Sequence, residues 1–285
     1  MGRLIGLAPL SHLELSPVEM VECAAVAGYD CVGLRLIPAT DQEPQWDSVG
    51  DTALIRDTAR RLRDTGIVVS DIELFRLQPT TDLKTFRAAL ETGALLGARN
   101  AVVSGQVADF SQMTDLFGGF CEMAAGYGIS ANLEPTPWVA VGSVAAAARL
   151  IEAADCANAG ILIDPIHFDR AGDRVEALAG LPPQYFRLMQ LCDAPAQRPV
   201  DLNTLLHQAR AERLMPGDGG LDLQRLLRAM PRQIPLSLEV PMRSLAAQWP
   251  AVERARRMLE KTRALLVSLE LDAWGDLDEA PAVCH

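Results

Sequence analysis

The chain has 285 residues and a mass of 30.8 kDa, and 49% of its residues are hydrophobic, which suffices for one large core and excludes a disordered chain. The 26 Lys and Arg residues against 37 Asp and Glu give a formal net charge of −11, which argues against nucleic acid as a partner. No apolar run reaches the roughly 18 residues that span a bilayer, and the N-terminal segment has no signal-peptide core. We therefore expect a cytoplasmic protein without a membrane partner.

Short apolar segments rich in β-formers alternate with longer amphipathic segments, which is typical of repeated βα units around a parallel sheet. The first predicted helix begins after Ser16, with Pro17 in the first helical position and Glu19 in the first turn. The predicted strands are Leu4–Leu10, Cys31–Ile37, Ile67–Leu74, Asn100–Gly105, Ile129–Pro135, Ala159–Pro165, Tyr185–Ala194 and Pro235–Pro241.

Eight such units predict a single-domain α/β protein, a (β/α)8 TIM barrel over residues 1–270. A doubly wound open sheet is the alternative, but no GxGxxG or GxxxxGK[ST] motif follows any strand. Residues 271–285 combine acidic residues, Gly and Pro without a period. We interpret them as a flexible acidic C-terminal tail, or alternatively as a lid acting on a neighbouring copy.

Oxygen-bearing side chains lie at the C-terminal ends of four consecutive predicted strands, where barrels of this type carry their chemistry. They are Glu134, Asp164, Gln190 and Glu239. Three carboxylates in one mouth repel one another unless a cation lies between them. Hard oxygen donors without Cys favour Mn²⁺ or Mg²⁺, with Co²⁺ or Zn²⁺ as alternatives. Taken singly, each acid also fits a helix N-cap or a surface ion pair.

Two further residues lie close to this predicted mouth. His167, in D-P-I-H, either contacts a substrate or bonds to the backbone of its own loop. Trp138 either walls the pocket against a sugar face or packs within its loop. The segment Arg213–Gly220, with Pro and three glycines, predicts a loop that closely approaches the pocket.

Charged residues at other strand ends are candidates for substrate binding. Glu73 ends the third predicted strand and either orients a substrate hydroxyl or forms an ion pair with Arg35 or Arg76. Arg35 and Arg243 follow the second and eighth strands, where a guanidinium binds hydroxyl, carboxylate or phosphate groups, or pairs with a neighbouring acid.

The motif order N-L-E-P, D-P-I-H, Q-L-C-D-A-P, P-G-D-G and S-L-E-V-P resembles the sugar phosphate isomerase/epimerase family with the xylose-isomerase-like barrel, from about Leu4 to Leu269. That family includes ketose 3-epimerases, hydroxypyruvate isomerase, inosose dehydratase and isomerase, 3-dehydroshikimate dehydratase and endonuclease IV. The resemblance implies that His167 faces the substrate and that the protein is a homodimer or homotetramer. The metal ligands it implies are Glu134, Asp164, Gln190 and Glu239.

This chain departs from several branches of the family. Thr136 stands where xylose isomerase carries a lysine and where 3-dehydroshikimate dehydratases tend to carry a histidine. Gln190 stands where the epimerases commonly have a histidine, which keeps an oxygen donor and removes a nitrogen donor.

The residues and the resemblance together predict a divalent-metal-dependent isomerase or epimerase of a small polyhydroxy carbonyl compound. Glu134 and Glu239 would act as base and conjugate acid through an enediolate, with His167 as a proton carrier or hydrogen-bond donor. A metal-dependent dehydratase of a cyclic keto-polyol, such as 3-dehydroshikimate or an inosose, shares this intermediate and is the alternative. A barrel that binds a sugar-like ligand without catalysis is the second alternative.

Overall fold

The computed structural model describes residues 3–278. Its parallel strands form a closed barrel in which each strand pairs with the next and the last pairs with the first. This ring confirms the predicted single-domain (β/α)8 barrel and excludes the open doubly wound sheet. The strands are β1 (Ile5–Leu7), β2 (Cys31–Arg35), β3 (Val68–Leu77), β4 (Asn100–Gly105), β5 (Ser130–Leu133), β6 (Ala159–Ile163), β7 (Phe186–Leu191) and β8 (Leu236–Leu238).

Helices connect consecutive strands and cover the outside of the ring. They are α1 (Pro17–Ala27), α2 (Ala53–Thr65), α3 (Arg87–Leu95), α4 (Phe110–Ala125), α5 (Val144–Ala154), α6 (Pro165–Ala171), α7 (Glu176–Ala179), α8 (Leu202–Ala211), α9 (Leu223–Ala229), α10 (Arg243–Ala246) and α11 (Ala251–Asp278). Short 3₁₀ helices occupy Pro9–His12, Leu83–Phe86 and Pro183–Tyr185. Within the described part of the chain, no helix has both the length and the apolar character needed to cross a bilayer.

The last helix passes the boundary that the sequence pattern placed at residue 270. Helix α11 runs to Asp278, so the first residues of the predicted tail continue the helix. The rest of that predicted tail, residues 279–285, lies outside the described residues.

Local signals in the sequence set several element boundaries. Strand β1 is shorter than the predicted Leu4–Leu10 because Pro9 begins a 3₁₀ helix. Helix α1 begins after Ser16 as predicted, and Ser16 and Glu19 form a capping box in which the Glu19 carboxylate accepts the Ser16 backbone N–H at 2.8 Å. It ends at Gly28, whose φ of 92° lies in the left-handed region that glycine adopts without strain.

The apolar interior has two parts. The larger lies between the strands and the helices and includes the fully buried Phe75. The smaller consists of Val102, Leu162 and Leu188, with Leu74 packed against them. Because these residues belong to β3, β4, β6 and β7 and do not join the outer core, they fill the inside of the ring. A filled ring leaves only its mouth open to a ligand.

Candidate active site

The side chains at the mouth are placed by strand periodicity. Asp164 lies two residues after Leu162, and Gln190 lies two residues after Leu188. Because side chains at i and i+2 share a face of a strand, the polar residues lie directly above the apolar residues that fill the ring. Glu134 and Glu239 directly follow β5 and β8, so they reach the same level.

A cavity of about 660 Å³ opens at this mouth. Asp164 lies behind its wall and is only 2% exposed. All other predicted site residues line the cavity: Arg35, Glu73, Glu134, Trp138, His167, Gln190, Glu239 and Arg243.

The guanidinium of Arg213 joins two of the carboxylates, and the sequence patterns did not point to it as a site residue. Its Nη1 lies 2.6 Å from Asp164 Oδ2, and its Nη2 lies 2.8 Å from Glu239 Oε2. Arg213 is itself 2% exposed, so this ion pair is fully buried. The available signal was its position at the start of the Pro- and Gly-rich segment that was predicted to approach the pocket.

Gln190 links to the same network. Its Nε2 donates to Glu239 Oε1 at 2.8 Å. Its Oε1 is buried and has no hydrogen-bond partner among the described residues. A buried amide oxygen without a partner is unfavourable unless a ligand or cation occupies the adjacent space.

The two carboxylate oxygens of Asp164 have different partners. Its Oδ1 accepts the backbone N–H of Ile166 at 2.9 Å and so caps α6, as the alternative interpretation of this acid expected. Its Oδ2 faces Arg213 and the site. Burial raises the pKa of Asp164, but the positive charge of Arg213 outweighs it, and the net pKa lies below the ordinary value. Asp164 is therefore ionised at neutral pH.

Burial and mutual repulsion act in the opposite direction on the two glutamates. Burial, followed by the negative charges of Glu239 and Asp164, raises the pKa of Glu134 well above its ordinary value. Burial raises the pKa of Glu239 to about 8, although Arg213 opposes the shift. Arg213 alone is therefore not enough to keep Glu134 and Glu239 ionised at neutral pH.

His167 lies between two of these acids. Its Nε2 is 3.7 Å from both Glu134 Oε1 and Asp164 Oδ2. One potential ligand atom from each of the three residues lies within 4.8 Å of the others, as a metal site requires. Burial lowers the pKa of His167 to about 4 despite the attraction of Asp164, so the imidazole is neutral at pH 7. The ring of Trp138 meets it edge-on, with centroids 5.0 Å apart.

Glu134, Asp164 and His167 are the described residues whose ligand atoms lie close enough together to share a cation, whereas Glu239 is not in that group. Glu134, Asp164 and Glu239 offer carboxylate oxygens, and Gln190 offers the amide oxygen that lacks a partner. An ion among them would lower the repulsion that raises the pKa of Glu134.

The opposite wall is formed by an ion-paired group. Arg35 Nη2 lies 3.4 Å from Glu73 Oε2, and Arg35 Nε lies 3.6 Å from Glu43 Oε2. Arg35 is thus the ion-pair partner of Glu73, rather than Arg76. Burial raises the pKa of Glu73 to about 7, with Arg35 opposing the shift. Arg243 begins α10 on the exposed rim of the cavity.

The structure is thus a closed parallel barrel with several buried acidic residues at the C-terminal ends of its strands. This arrangement is compatible with the xylose-isomerase-like barrels. The chain belongs to the family described as Xylose isomerase-like TIM barrel, whose sequence profile matches residues 21–265. No curated protein is similar enough in sequence to count as a match.

Solved structures of this architecture superimpose on most of the chain. The IOLI protein, solved with a bound zinc atom, is 18% identical with a TM-score of 0.75, covering 93% of this chain and 97% of its own. 3-keto-D-glucoside 4-epimerase, YcjR, from E. coli is 19% identical with a TM-score of 0.68. The alignment covers 92% of this chain and 99% of the epimerase. A xylose isomerase-like TIM barrel/4-hydroxyphenylpyruvate dioxygenase fusion protein is 21% identical with a TM-score of 0.80; 99% of this chain matches 46% of that one. At these identities the likeness concerns the fold.

Proposed function

We propose that this protein is a divalent-metal-dependent isomerase or epimerase of a small polyhydroxy carbonyl compound. The observation that carries the proposal is the meeting of buried carboxylates and an unpartnered amide oxygen at the mouth of the barrel. The similarity of the fold to a sugar epimerase and to a zinc-containing barrel supports it.

The proposed metal ligands are Glu134, Asp164, Gln190 and Glu239. All four provide oxygen donors, which favours Mn²⁺ or Mg²⁺ and leaves Co²⁺ or Zn²⁺ as alternatives. When bound, the ion would polarise a carbonyl and its neighbouring hydroxyl, which acidifies the C–H of the carbon that carries the hydroxyl.

Proton transfer is assigned to Glu134 and Glu239, as base and conjugate acid. Gln190 and Arg213 each bond one oxygen of Glu239, so its carboxylate is held in one orientation. His167, neutral at pH 7, can donate to or accept from a substrate hydroxyl beside Glu134. Return of the proton to the other face of the same carbon gives epimerisation, and its return to the neighbouring carbon gives isomerisation.

The remaining residues of the wall are proposed to hold the substrate. Trp138 supplies an aromatic face next to His167. Glu73 and Arg35 form a paired acceptor and donor on the opposite side, and Arg243 closes the rim. These groups suit a compact molecule with several hydroxyls.

A metal-dependent dehydratase is the second candidate, and Glu73 favours it. Dehydration needs an acid that protonates the departing hydroxyl. The pKa of Glu73 is raised to about 7, and its Oε1 is buried without a hydrogen-bond partner among the described residues. A carboxyl group with these properties can carry that proton.

Metal analysis and solvent exchange test the proposal. We expect the purified protein to contain a divalent ion, or to take up Mn²⁺ stoichiometrically. A panel of keto-sugars, inososes and cyclic keto acids in D₂O with Mn²⁺ should reveal one compound that gains deuterium beside its carbonyl, as detected by NMR. Loss of water would identify the dehydratase. Protein that takes up no ion and exchanges no compound would instead be a ligand-binding barrel.

A further inference from the structure

Three arginines that line the cavity form no ion pair among the described side chains: Arg243 on the rim, and Arg76 and Arg210 further along the wall. Arg76 lies near the end of β3, and Arg210 lies in the last turn of α8. Both line the cavity that contains Glu134. Neither Arg76 nor Arg210 forms an ion pair with any carboxylate among the described side chains, residues 3–269, although acidic residues outnumber basic ones in the chain.

The ion-paired arginines of the cavity differ from Arg76, which is half-buried, and Arg210, which is exposed. Arg35 pairs with Glu73, and Arg213 pairs with Asp164 and Glu239, so their charges are neutralised within the protein. The neighbour of Arg210 is an aromatic ring instead, since its Cζ lies 5.4 Å from the ring centroid of Trp138. This cation–π contact orients the guanidinium and leaves its N–H donors available.

Arg76 and Arg210 are close enough to repel each other. Burial and then the positive charge of Arg76 lower the pKa of Arg210, although the negative charges of Glu43 and Glu134 partly oppose them. Two neighbouring cations in a partly enclosed cavity are unfavourable unless an anion lies between them. A carboxylate or phosphate group would accept hydrogen bonds from both guanidiniums and remove the repulsion.

We infer that the substrate carries an anionic oxygen group, a carboxylate or a phosphate, which Arg76 and Arg210 bind while its carbonyl end lies among the acids of the mouth. The inference rests on the proposed function and names its substrate class. The ring of Trp138 contacts both Arg210 and His167, so the anion site adjoins the proposed reacting centre. A compact substrate spans both.

Calorimetric titration of the Mn²⁺-loaded full chain with three probes tests the inference. The probes are D-glucose, D-glucuronate and D-glucose 6-phosphate, which differ mainly in their anionic group. We expect one anionic probe to bind at least about tenfold more tightly than glucose, and its identity separates carboxylate from phosphate. Arg76→Gln and Arg210→Gln should each weaken that probe about 10- to 100-fold, as for loss of a charged hydrogen bond, and leave glucose unchanged.

Arg99→Gln is the matched control, because Arg99 is exposed just before β4, at the opposite end of the barrel. It removes the same charge and should not alter binding. Anionic probes that bind no more tightly than glucose, or that weaken equally in Arg99→Gln, would overturn the inference. Thermal unfolding of each variant verifies that the fold is intact.

Solvent exchange keeps this inference separate from the proposed function. If anions bind through Arg76 and Arg210 but no keto acid or keto-sugar phosphate exchanges deuterium, the anion site stands and the proposed reaction fails. If a neutral ketose exchanges at least as fast as the keto acids and keto-sugar phosphates in wild type, and Arg76→Gln and Arg210→Gln slow none of the anionic compounds, the proposed reaction stands and the anion site is wrong.

Discussion

Glu239 has two proposed roles, as a metal ligand and as a proton-transferring base, and one substitution can test them separately. The substitution Glu239→Gln keeps an oxygen donor of the same size but removes the base. We expect metal content to survive largely and turnover to fall by roughly 10²–10⁴-fold, as when general acid–base catalysis is lost. Metal analysis and deuterium exchange on the substrate found by screening give the two readouts.

His167→Ala serves as the comparison, because it removes a proposed substrate contact. In His167→Ala, substrate binding and turnover should both weaken while the ion is retained. Near-wild-type turnover of Glu239→Gln would assign proton transfer elsewhere, first to Glu134 and then to His167.

Arg213 is the residue on which the charge balance of the site depends. Arg213→Met removes the cation between Asp164 and Glu239 and leaves both acids buried. We expect the metal-free protein to lose about 3–5 kcal/mol of its free energy of unfolding, the usual cost of breaking a buried pair. Denaturant unfolding measures this loss, and added Mn²⁺ should restore part of it by mass action.

Arg213→Lys is the control for charge, because it keeps the positive charge but loses the two-pronged geometry. It should lose less stability than Arg213→Met. Equal losses would show that shape rather than charge is decisive at this position.

The acidic residues of the site could be predicted from the sequence. The arginines close to them could be predicted only in part. Glu134, Asp164 and Glu239 follow apolar strands directly, and the chemistry of this fold lies at strand ends. Arg213 follows a helix, far along the chain from Asp164, so only the folded ring brings the two together. The same holds for Arg76 and Arg210, which line one cavity although no spacing in the sequence reveals it.

At the scale of elements, the loop over residues 213–220 is held by one buried carboxylate. Asp193 accepts the backbone N–H groups of Gly217, Gly219 and Leu221 at 3.1, 2.9 and 3.1 Å. A Cβ on Gly219 would lie 2.3 Å from Asp193 Oδ1, so this close approach requires glycine. The predicted approach of the loop to the pocket therefore depends on Asp193.

Asp193→Asn should loosen this loop, because an amide presents an N–H group to donors that need an acceptor. We expect faster hydrogen exchange at the amides of Gly217, Gly219 and Leu221, together with lower turnover through displacement of Arg213. Asp218→Asn is the control within the same loop, because Asp218 pairs with Lys261 at the surface. Unchanged protection in Asp193→Asn would assign the rigidity of the loop to its packing.

A buried histidine joins the first strand region to the last helix. His12 Nε2 donates to the Ala251 carbonyl oxygen at 3.0 Å. Burial and then Arg254 lower the pKa of His12 to about 4, although Glu14 opposes them. Between that pKa and the unfolded value of 6.5, only the unfolded state binds the proton. Acidification through this range therefore favours unfolding.

His12→Gln removes this titration while keeping a donor. We expect the difference in unfolding free energy, wild type minus His12→Gln, to rise between pH 4 and 6.5 by on the order of 2 kcal/mol and then level off. Denaturant unfolding at several pH values measures it. A difference that is independent of pH would remove His12 as the cause.

At the scale of the whole molecule, association remains a prediction. We expect a homodimer or homotetramer, since enzymes of this size usually form closed symmetric oligomers. The net charge of −11 makes copies repel one another, so association should strengthen as salt screens the charges. Sedimentation at micromolar concentration measures this, and a monomer at every salt concentration would contradict it.

The pairing of the first strand with the last also affects how the protein folds. Ile5 pairs with Leu236, which is far away in the sequence, whereas Gly6 pairs with Cys31, which is close in the sequence. Closing the longer loop costs about 2 kcal/mol more chain entropy than closing the shorter one, so the ring should close late. Until then β1 and β8 each expose an unpaired edge, on which another chain can add a strand. A nascent chain released before Leu236 would keep that edge open, and we expect it to aggregate.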